Sequence, residues 1–165
     1  MNMKEAIEKC TDMAKKENLL FITVAPPATG KTFFSNEMKK AGLEVIHSDT
    51  VRKELFGKDV IGFGDFKVLF GTIKAMASFS LTRGSVVYDA CNLTKRARSM
   101  IKSIPAKKIA VVISAPKDQC IRQNRVDSIR DHVTPQWYMD ECFSKIQVPE
   151  KSEGYDDVIF VENIF

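Results

Sequence analysis

Residues 19–32 read Leu-Leu-Phe-Ile-Thr-Val-Ala-Pro-Pro-Ala-Thr-Gly-Lys-Thr, and this stretch decides the fold. Leu19–Val24 is a nearly continuous apolar run of strand length, the pattern of a strand buried on both faces of a parallel sheet. Two prolines follow, and Gly30-Lys31-Thr32 then opens a helical stretch to about Lys40, with Gly42 as its stop signal. Strand, turn and helix in that order are the setting in which G-x-x-x-x-G-K-[ST] cradles phosphate. Backbone N–H groups of the turn and of the helix N-terminus point at the anion, and the helix dipole favours negative charge there. The segment departs from the pattern once: Ala25 stands where the first Gly belongs. An Ala there costs about 1 kcal/mol if its φ is positive.

On this reading Pro27, Ala28, Thr29, Gly30, Lys31 and Thr32 line a nucleotide phosphate site. Lys31 reaches the β- and γ-phosphates, and Thr32 offers its hydroxyl to Mg²⁺, so ATP and Mg²⁺ are the expected cofactors. The alternative is a G-K-T that merely starts a helix. The strand before it and the helix after it favour the phosphate site.

Outward from the loop, strands are expected at Leu43–His47, Ser85–Tyr88, Ile109–Ser114 and Asp157–Val161. Helices are expected over 4–17, Thr50–Phe56, Phe63–Thr82, Lys95–Ser103, Asp118–Arg130 and Pro135–Lys145, the last with Thr134 as N-cap and Pro135 at its first position. Strands alternating with helices imply a largely parallel sheet of about five strands covered on both faces. Ligands on such sheets bind beyond the carboxyl ends of the strands. Along Phe63–Thr82 the apolar residues Phe66, Leu69, Phe70, Ile73, Met76 and Ala77 recur at helical spacing. Most of Phe63, Phe66 and Phe70 are therefore expected in the core, although such rings also stack on nucleobases. Trp137 and Tyr138 carry the same two readings.

Composition bounds the rest. A chain of 165 residues, 44% hydrophobic and 28% charged, is a globular chain of one-domain size. A net charge of +4 suits an anionic substrate and equally an ordinary solvated surface. The basic residues gather at Lys95, Arg96 and Arg98, and again at Arg122, Arg125 and Arg130. The cysteines at 10, 91, 120 and 142 form no C-x-x-C pair, which argues against zinc and a disulfide framework and fits a reducing cytoplasm. No apolar leader and no membrane-length run is present, so a cytoplasmic protein without a membrane partner is expected. Cys91 reads as a small buried residue, His47 as structural, and His132 as a surface residue.

Two strand ends carry an acid: Asp49, two residues past His47, and Asp89, directly after Tyr88. Phosphoryl transfer to a hydroxyl needs a carboxylate to accept the acceptor's proton, and help in holding Mg²⁺ or its waters. Each Asp is otherwise a helix cap. Arg52, three residues after Asp49, either grips a substrate phosphate or forms an i, i+3 ion pair. Arg122 and Arg125, one turn apart, belong either to a lid that neutralises the γ-phosphoryl oxygens or to a solvated basic face.

These residues resemble the kinase domain of phage and bacterial polynucleotide kinases, within the small P-loop kinases, over roughly residues 20–160. The resemblance rests on the phosphate loop, on His47-Ser48-Asp49-x-x-Arg52, on Val86-Val87-Tyr88-Asp89-Ala90-Cys91-Asn92-Leu93-Thr94, on Ile121-Arg122-Gln123-Asn124-Arg125, on the Val133-Thr134-Pro135 turn and on Glu153-Gly154-Tyr155-Asp156-Asp157-Val158. It implies an α/β P-loop NTPase three-layer sandwich with a small helical lid at about 117–132, one kinase domain over 1–165. It further implies that Asp49 is the general base for a 5′-hydroxyl, that Arg52 holds the acceptor's neighbouring 3′-phosphate, that Asp89 organises the acceptor side, and that Arg122 and Arg125 clamp the ATP phosphates. The partner would be the 5′ end of a single-stranded nucleic acid, in a setting such as repair. A kinase of a small molecule or nucleotide, and a non-catalytic nucleotide-binding module, are the competing readings.

Overall fold

A computed structural model of the chain describes residues 1–57, 62–126 and 133–165. In order it contains α1 (Met3–Lys16), β1 (Leu19–Val24), α2 (Lys31–Lys40), β2 (Glu44–His47), α3 (Ser48–Phe56), α4 (Phe63–Leu81), β3 (Val86–Asp89), α5 (Lys95–Arg98), β4 (Lys107–Ser114), α6 (Lys117–Val126), α7 (Gln136–Ser144) and β5 (Asp157–Glu162). The five strands are all parallel in the order β2-β3-β1-β4-β5. β1 is central: Phe21 lies opposite Val87 of β3 on one side and Ile109 of β4 on the other.

Both faces of this sheet are covered, which is why its strands read as apolar runs rather than as alternating patterns. Successive side chains of a strand point to opposite faces. Leu19 and Phe21 of β1 pack with Ala6 and Cys10 of α1 and with Phe34 and Met38 of α2. Leu20, Ile22 and Val24 pack on the opposite face with Leu69, Ile73 and Ala77 of α4 and with Ile101 and Ile104. The result is the three-layer α/β sandwich expected from the sequence, with the carboxyl ends of all the strands gathered along one rim.

Local chemistry sets the ends of α2, the helix that carries the phosphate loop. Gly30 is its N-cap, in the left-handed region at φ 105°. At its far end Gly42 has φ 99°. The Leu43 N–H donates to the Met38 carbonyl at 3.1 Å, and the Gly42 N–H donates to Lys39 at 3.0 Å. These paired bonds with a left-handed Gly are a Schellman stop, as the sequence signal implied.

Several expectations need correction. α7 starts at Gln136, with Pro135 as N-cap and no side-chain cap bond. Thr134 is engaged elsewhere: its N–H donates to Asn124 Oδ1 and its carbonyl accepts from Asn124 Nδ2. The helical stretch after Thr94 is one short α-turn that tightens into a 3₁₀ helix over Ser99–Ser103. In α4 the buried row is Leu69, Ile73, Ala77 and Leu81, while Phe66 and Met76 are exposed. The helix is apolar nearly all round, so spacing alone does not choose its inner face. Phe66 and Phe70 rest on each other, ring centroids 5.8 Å apart, with Phe66 exposed and Phe70 half-buried against the core. Trp137 and Tyr138 also lie outward, in an edge-to-face pair. Cys91 is half-buried, not buried. Arg130, His132 and the side chain of Phe63 lie outside the described residues.

Candidate active site at the carboxyl ends of the strands

The turn after β1 is held from several directions. The Ala25 N–H donates to the Cys91 carbonyl at 3.0 Å. Thr29 Oγ1 donates to the Pro26 carbonyl at 2.9 Å, and Lys31 Nζ donates to the same carbonyl at 2.9 Å. Asn163, just past β5, donates Nδ2 to the Thr29 carbonyl at 2.9 Å. Among the described residues, positive φ outside glycine occurs at Ala28 (61°) and Asn92 (48°). Ala25 is therefore not in the left-handed region and carries no such cost. It is buried against Cys91 instead, and the conformational demand falls on Ala28.

Left-handed residues at Ala28 and Gly30 flank Thr29. Alternation of this kind turns successive backbone N–H groups to one concave side, a nest for an anion. Gly30 is also required by space. A Cβ there would lie 2.5 Å from Asn163 Nδ2 and 3.2 Å from Met3 Cε. With the Lys31 ammonium at the loop and the Thr32 hydroxyl exposed in the first turn of α2, the arrangement fits a nucleotide phosphate and an oxygen-liganded Mg²⁺.

Asp89 ends β3 beside this loop. No helix follows it directly, because α5 is capped by Thr94, so Asp89 is not a cap. Its Oδ2 lies 3.1 Å from His47 Nδ1 at the end of the neighbouring strand β2. The approach is close but poorly aligned: among the described residues neither Asp89 Oδ2 nor Ser35 Oγ, both buried, makes a directed hydrogen bond. Burial works to raise the Asp89 pKa. The His47 contact, the Lys31 charge and the Ser35 hydroxyl outweigh it and hold the carboxyl below its ordinary value. His47 is raised above 6.5, chiefly by Asp89. The structure thus brings Lys31, Ser35, His47 and Asp89 together on the phosphate side of the rim.

Asp49 is built differently. α3 begins at Ser48, with His47 as N-cap, so Asp49 sits inside the first turn and is no cap. Its side chain is 82% exposed and pairs with Arg52 Nη1 at 3.3 Å, while Arg52 is 24% exposed. Around Arg52 stand the hydroxyls of Tyr88, from β3, and Tyr138, from α7. Burial raises Tyr88 to about 12. Burial raises Tyr138 too, although its ring is partly open; the hydroxyl end is tucked beside Cys142 and Cys91. The helix α7 therefore reaches the surroundings of Arg52, which the sequence did not indicate.

Among the described residues, Arg122 and Arg125, the two arginines expected in a lid, are not joined to this constellation. Arg122 Nη1 pairs with Asp118 at 3.0 Å within α6, both groups well exposed. Arg125 is exposed one turn further on. Between them Asn124 is buried and clasps both backbone groups of Thr134, which ties the end of α6 to the start of α7. Sequence reasoning missed Asn163 and Thr23, and it gave no role to Asn92 and Asn124, which it named only within the Val86–Thr94 and Ile121–Arg125 segments. Their partners are distant in sequence or lie on the backbone, and no local pattern marks them.

The sheet order, the loop and the acid-bearing strand ends define the architecture of a P-loop kinase. A family model described as an AAA domain matches residues 20–130, and the chain belongs to that family. No curated protein matches it. Among solved structures, a gluconokinase from Sinorhizobium meliloti 1021 superposes with a TM-score of 0.61 at 16% identity, covering 88% of this chain and 82% of that one. The Pnkp1/Rnl/Hen1 RNA repair complex gives a TM-score of 0.68 at 17% identity, covering 85% of this chain and 47% of that one, so the chain spans about half the length of that relative. A shikimate kinase from Acinetobacter baumannii in complex with shikimate gives 0.56 at 16% identity, covering 90% and 86%. All three share the α/β sandwich with a parallel sheet. Among the described residues no helix is long and apolar enough to cross a membrane.

Proposed function

We propose that the chain is a kinase that transfers the γ-phosphate of Mg-ATP to the 5′-hydroxyl of DNA or RNA, as one cytoplasmic domain over 1–165 with a lid at about 117–132. The observation that carries this reading is the exposed Asp49 carboxylate paired with Arg52 at the rim, one strand away from Asp89 and two from the phosphate loop. A base that must meet a polymer end needs an open approach, and an Arg beside it suits a flanking phosphate diester. The likeness to the RNA repair complex agrees with it.

The chain's own groups divide the work. The N–H groups of residues 27–32 and the Lys31 ammonium hold the donor phosphates and neutralise their charge. The Thr32 hydroxyl would hold Mg²⁺, which would supply further neutralisation of the phosphate charge. Asp49 takes the proton of the acceptor hydroxyl as that oxygen bonds to the γ-phosphorus and the bond to the bridging oxygen of ADP breaks. Arg52 orients the acceptor, and Arg122 and Arg125 close on the transferring group.

The gluconokinase and shikimate kinase neighbours, which match over most of their length, favour a second reading: a small-molecule acceptor on the same fold. Labelled γ-phosphate offered with a 5′-hydroxyl oligonucleotide, nucleosides, gluconate and shikimate in parallel separates the two. A labelled oligonucleotide that is lost in Asp49→Asn supports the first reading. Label in a small molecule alone replaces it with the second, and ATP binding without transfer to any acceptor leaves a binding module.

A further inference from the structure

Between β3 and α5, residues 90–94 form a loop to which distant parts of the molecule are fastened. From β1, Thr23 Oγ1 donates to the Ala90 carbonyl at 2.8 Å and accepts from the Ala90 N–H at 3.2 Å. The Thr23 carbonyl accepts from Asn92 Nδ2 at 2.9 Å. From the phosphate loop, the Ala25 N–H donates to the Cys91 carbonyl. From the chain beyond α7, the Gln147 N–H donates to the Leu93 carbonyl at 2.8 Å, and Gln147 Oε1 accepts from the Lys95 N–H at 2.8 Å.

Arg98 closes this assembly from within. It belongs to the basic group Lys95, Arg96, Arg98, yet it is 1% exposed. Its Nε and Nη2 form a fork on the Glu153 carboxylate, 3.0 Å each, and its Nη1 donates to the Asn92 carbonyl at 2.8 Å. Glu153 is buried too, and Glu153 Oε2 also accepts from the Glu150 N–H. A buried ion pair is a poor device for stability alone, because desolvation consumes most of the attraction. Here its remaining donor is directed at the carbonyl of a residue in the left-handed region, a conformation that non-glycine residues seldom adopt unless their surroundings impose it. The loop so held carries Asp89 at its entrance and, at Cys91, the carbonyl that anchors the phosphate loop.

We propose that Arg98, locked by Glu153, is a positioning residue for phosphoryl transfer: through Asn92 it sets the distance between Asp89 and the start of the phosphate loop. The kinetic part of this inference rests on the phosphotransferase reading above but not on which acceptor is used.

Arg98→Lys keeps the charge and loses the fork; Glu153→Gln keeps one acceptor and serves if the first variant does not fold. Misplacement of catalytic groups through a remote residue costs about 10²-fold in rate. Turnover at saturating Mg-ATP is expected to fall by that order, with the KM for ATP nearly unchanged, at temperatures where the variant is folded. The second readout needs no catalysis. The titration of His47, one of two histidines in the chain, reports by NMR how closely Asp89 is held. In the variant it is expected to fall back toward its ordinary value. An unmoved His47 titration in a folded variant overturns the inference whatever the activity. If the wild type labels no oligonucleotide, the acceptor reading fails and the His47 titration still decides this one.

Discussion

The phosphate-loop side of the rim and the side that carries Asp49 and Arg122 are built differently. On the first, Ala25, Thr29, Gly30 and Asp89 each lie against another element, and the groups are buried or held by backbone bonds. On the second, the carboxylates of Asp49 and Asp118 are exposed and pair with Arg52 and Arg122 of their own helices. The Arg122–Asp118 pair, open on both sides, contributes about 0–1 kcal/mol. On the proposed function the difference matches two jobs. A donor phosphate has one shape and is served by a fixed cradle. An acceptor or a closing lid would exchange partners, and a weak pair such as Arg122–Asp118 releases its arginine to an incoming anion at little cost.

The contrast can be broken or sharpened by mutation. The largest expected effect is on the cradle: Lys31→Ala removes the cation at the phosphates and should lower turnover about 10³-fold. The thermal midpoint should move little by comparison, since the directed bond of the Lys31 side chain among the described residues is to the Pro26 carbonyl, and its action on Asp89 is one of several. Gly30→Ala comes next. It forces a Cβ to within 2.5 Å of Asn163 Nδ2 at a φ of 105°, and urea unfolding should show a loss of about 2–3 kcal/mol. Asn163→Ala should recover part of that loss in the double variant, because it removes the nearer obstacle and leaves the backbone strain and the looser Met3 contact.

A third test is pH. The folded pKa of His47 is raised above 6.5, so its contribution is present below that value and is lost as pH rises through the folded pKa. The folded pKa of Asp89 lies below 3.8, so its contribution is present above 3.8 and is lost as pH falls through the folded pKa. The stability difference between wild type and His47→Gln should therefore be greatest between the two ordinary values and should shrink as pH rises through the folded pKa of His47. A difference that does not vary with pH would remove the pair from the cradle. The smallest effect belongs to the proposed lid: Arg122→Ala should change stability by less than about 0.5 kcal/mol while slowing turnover. A larger loss of stability would mean that the lid is as fixed as the cradle.

Much of the cradle side was legible in the sequence. The inner strands β1, β3 and β4 are there as apolar runs, because a parallel sheet covered on both faces leaves them no polar side, and the edge strands β2 and β5 as shorter, partly polar ones. Gly42 marked the end of α2 through the turn it must make. Three things were not legible. Ala25 looked like a strained substitution, but the left-handed position lies three residues on, at Ala28, and only backbone geometry shows that. The inner face of α4 could not be chosen from a helix with apolar residues on every side. Arg98 read as one of a basic surface group, because its partner Glu153 is 55 residues away.

Asn163 gives the phosphate loop a place in time as well as in space. It holds the Thr29 carbonyl from 134 residues further along the chain, on the segment that leaves the edge strand β5. During synthesis the loop emerges early, and its clasp emerges only after every strand has been made. A nascent chain can form β1 and α2 and still present an open loop until β5 has paired with β4. Acquisition of nucleotide binding by ribosome-bound fragments of increasing length should therefore mark the completion of the sheet, not the appearance of the motif.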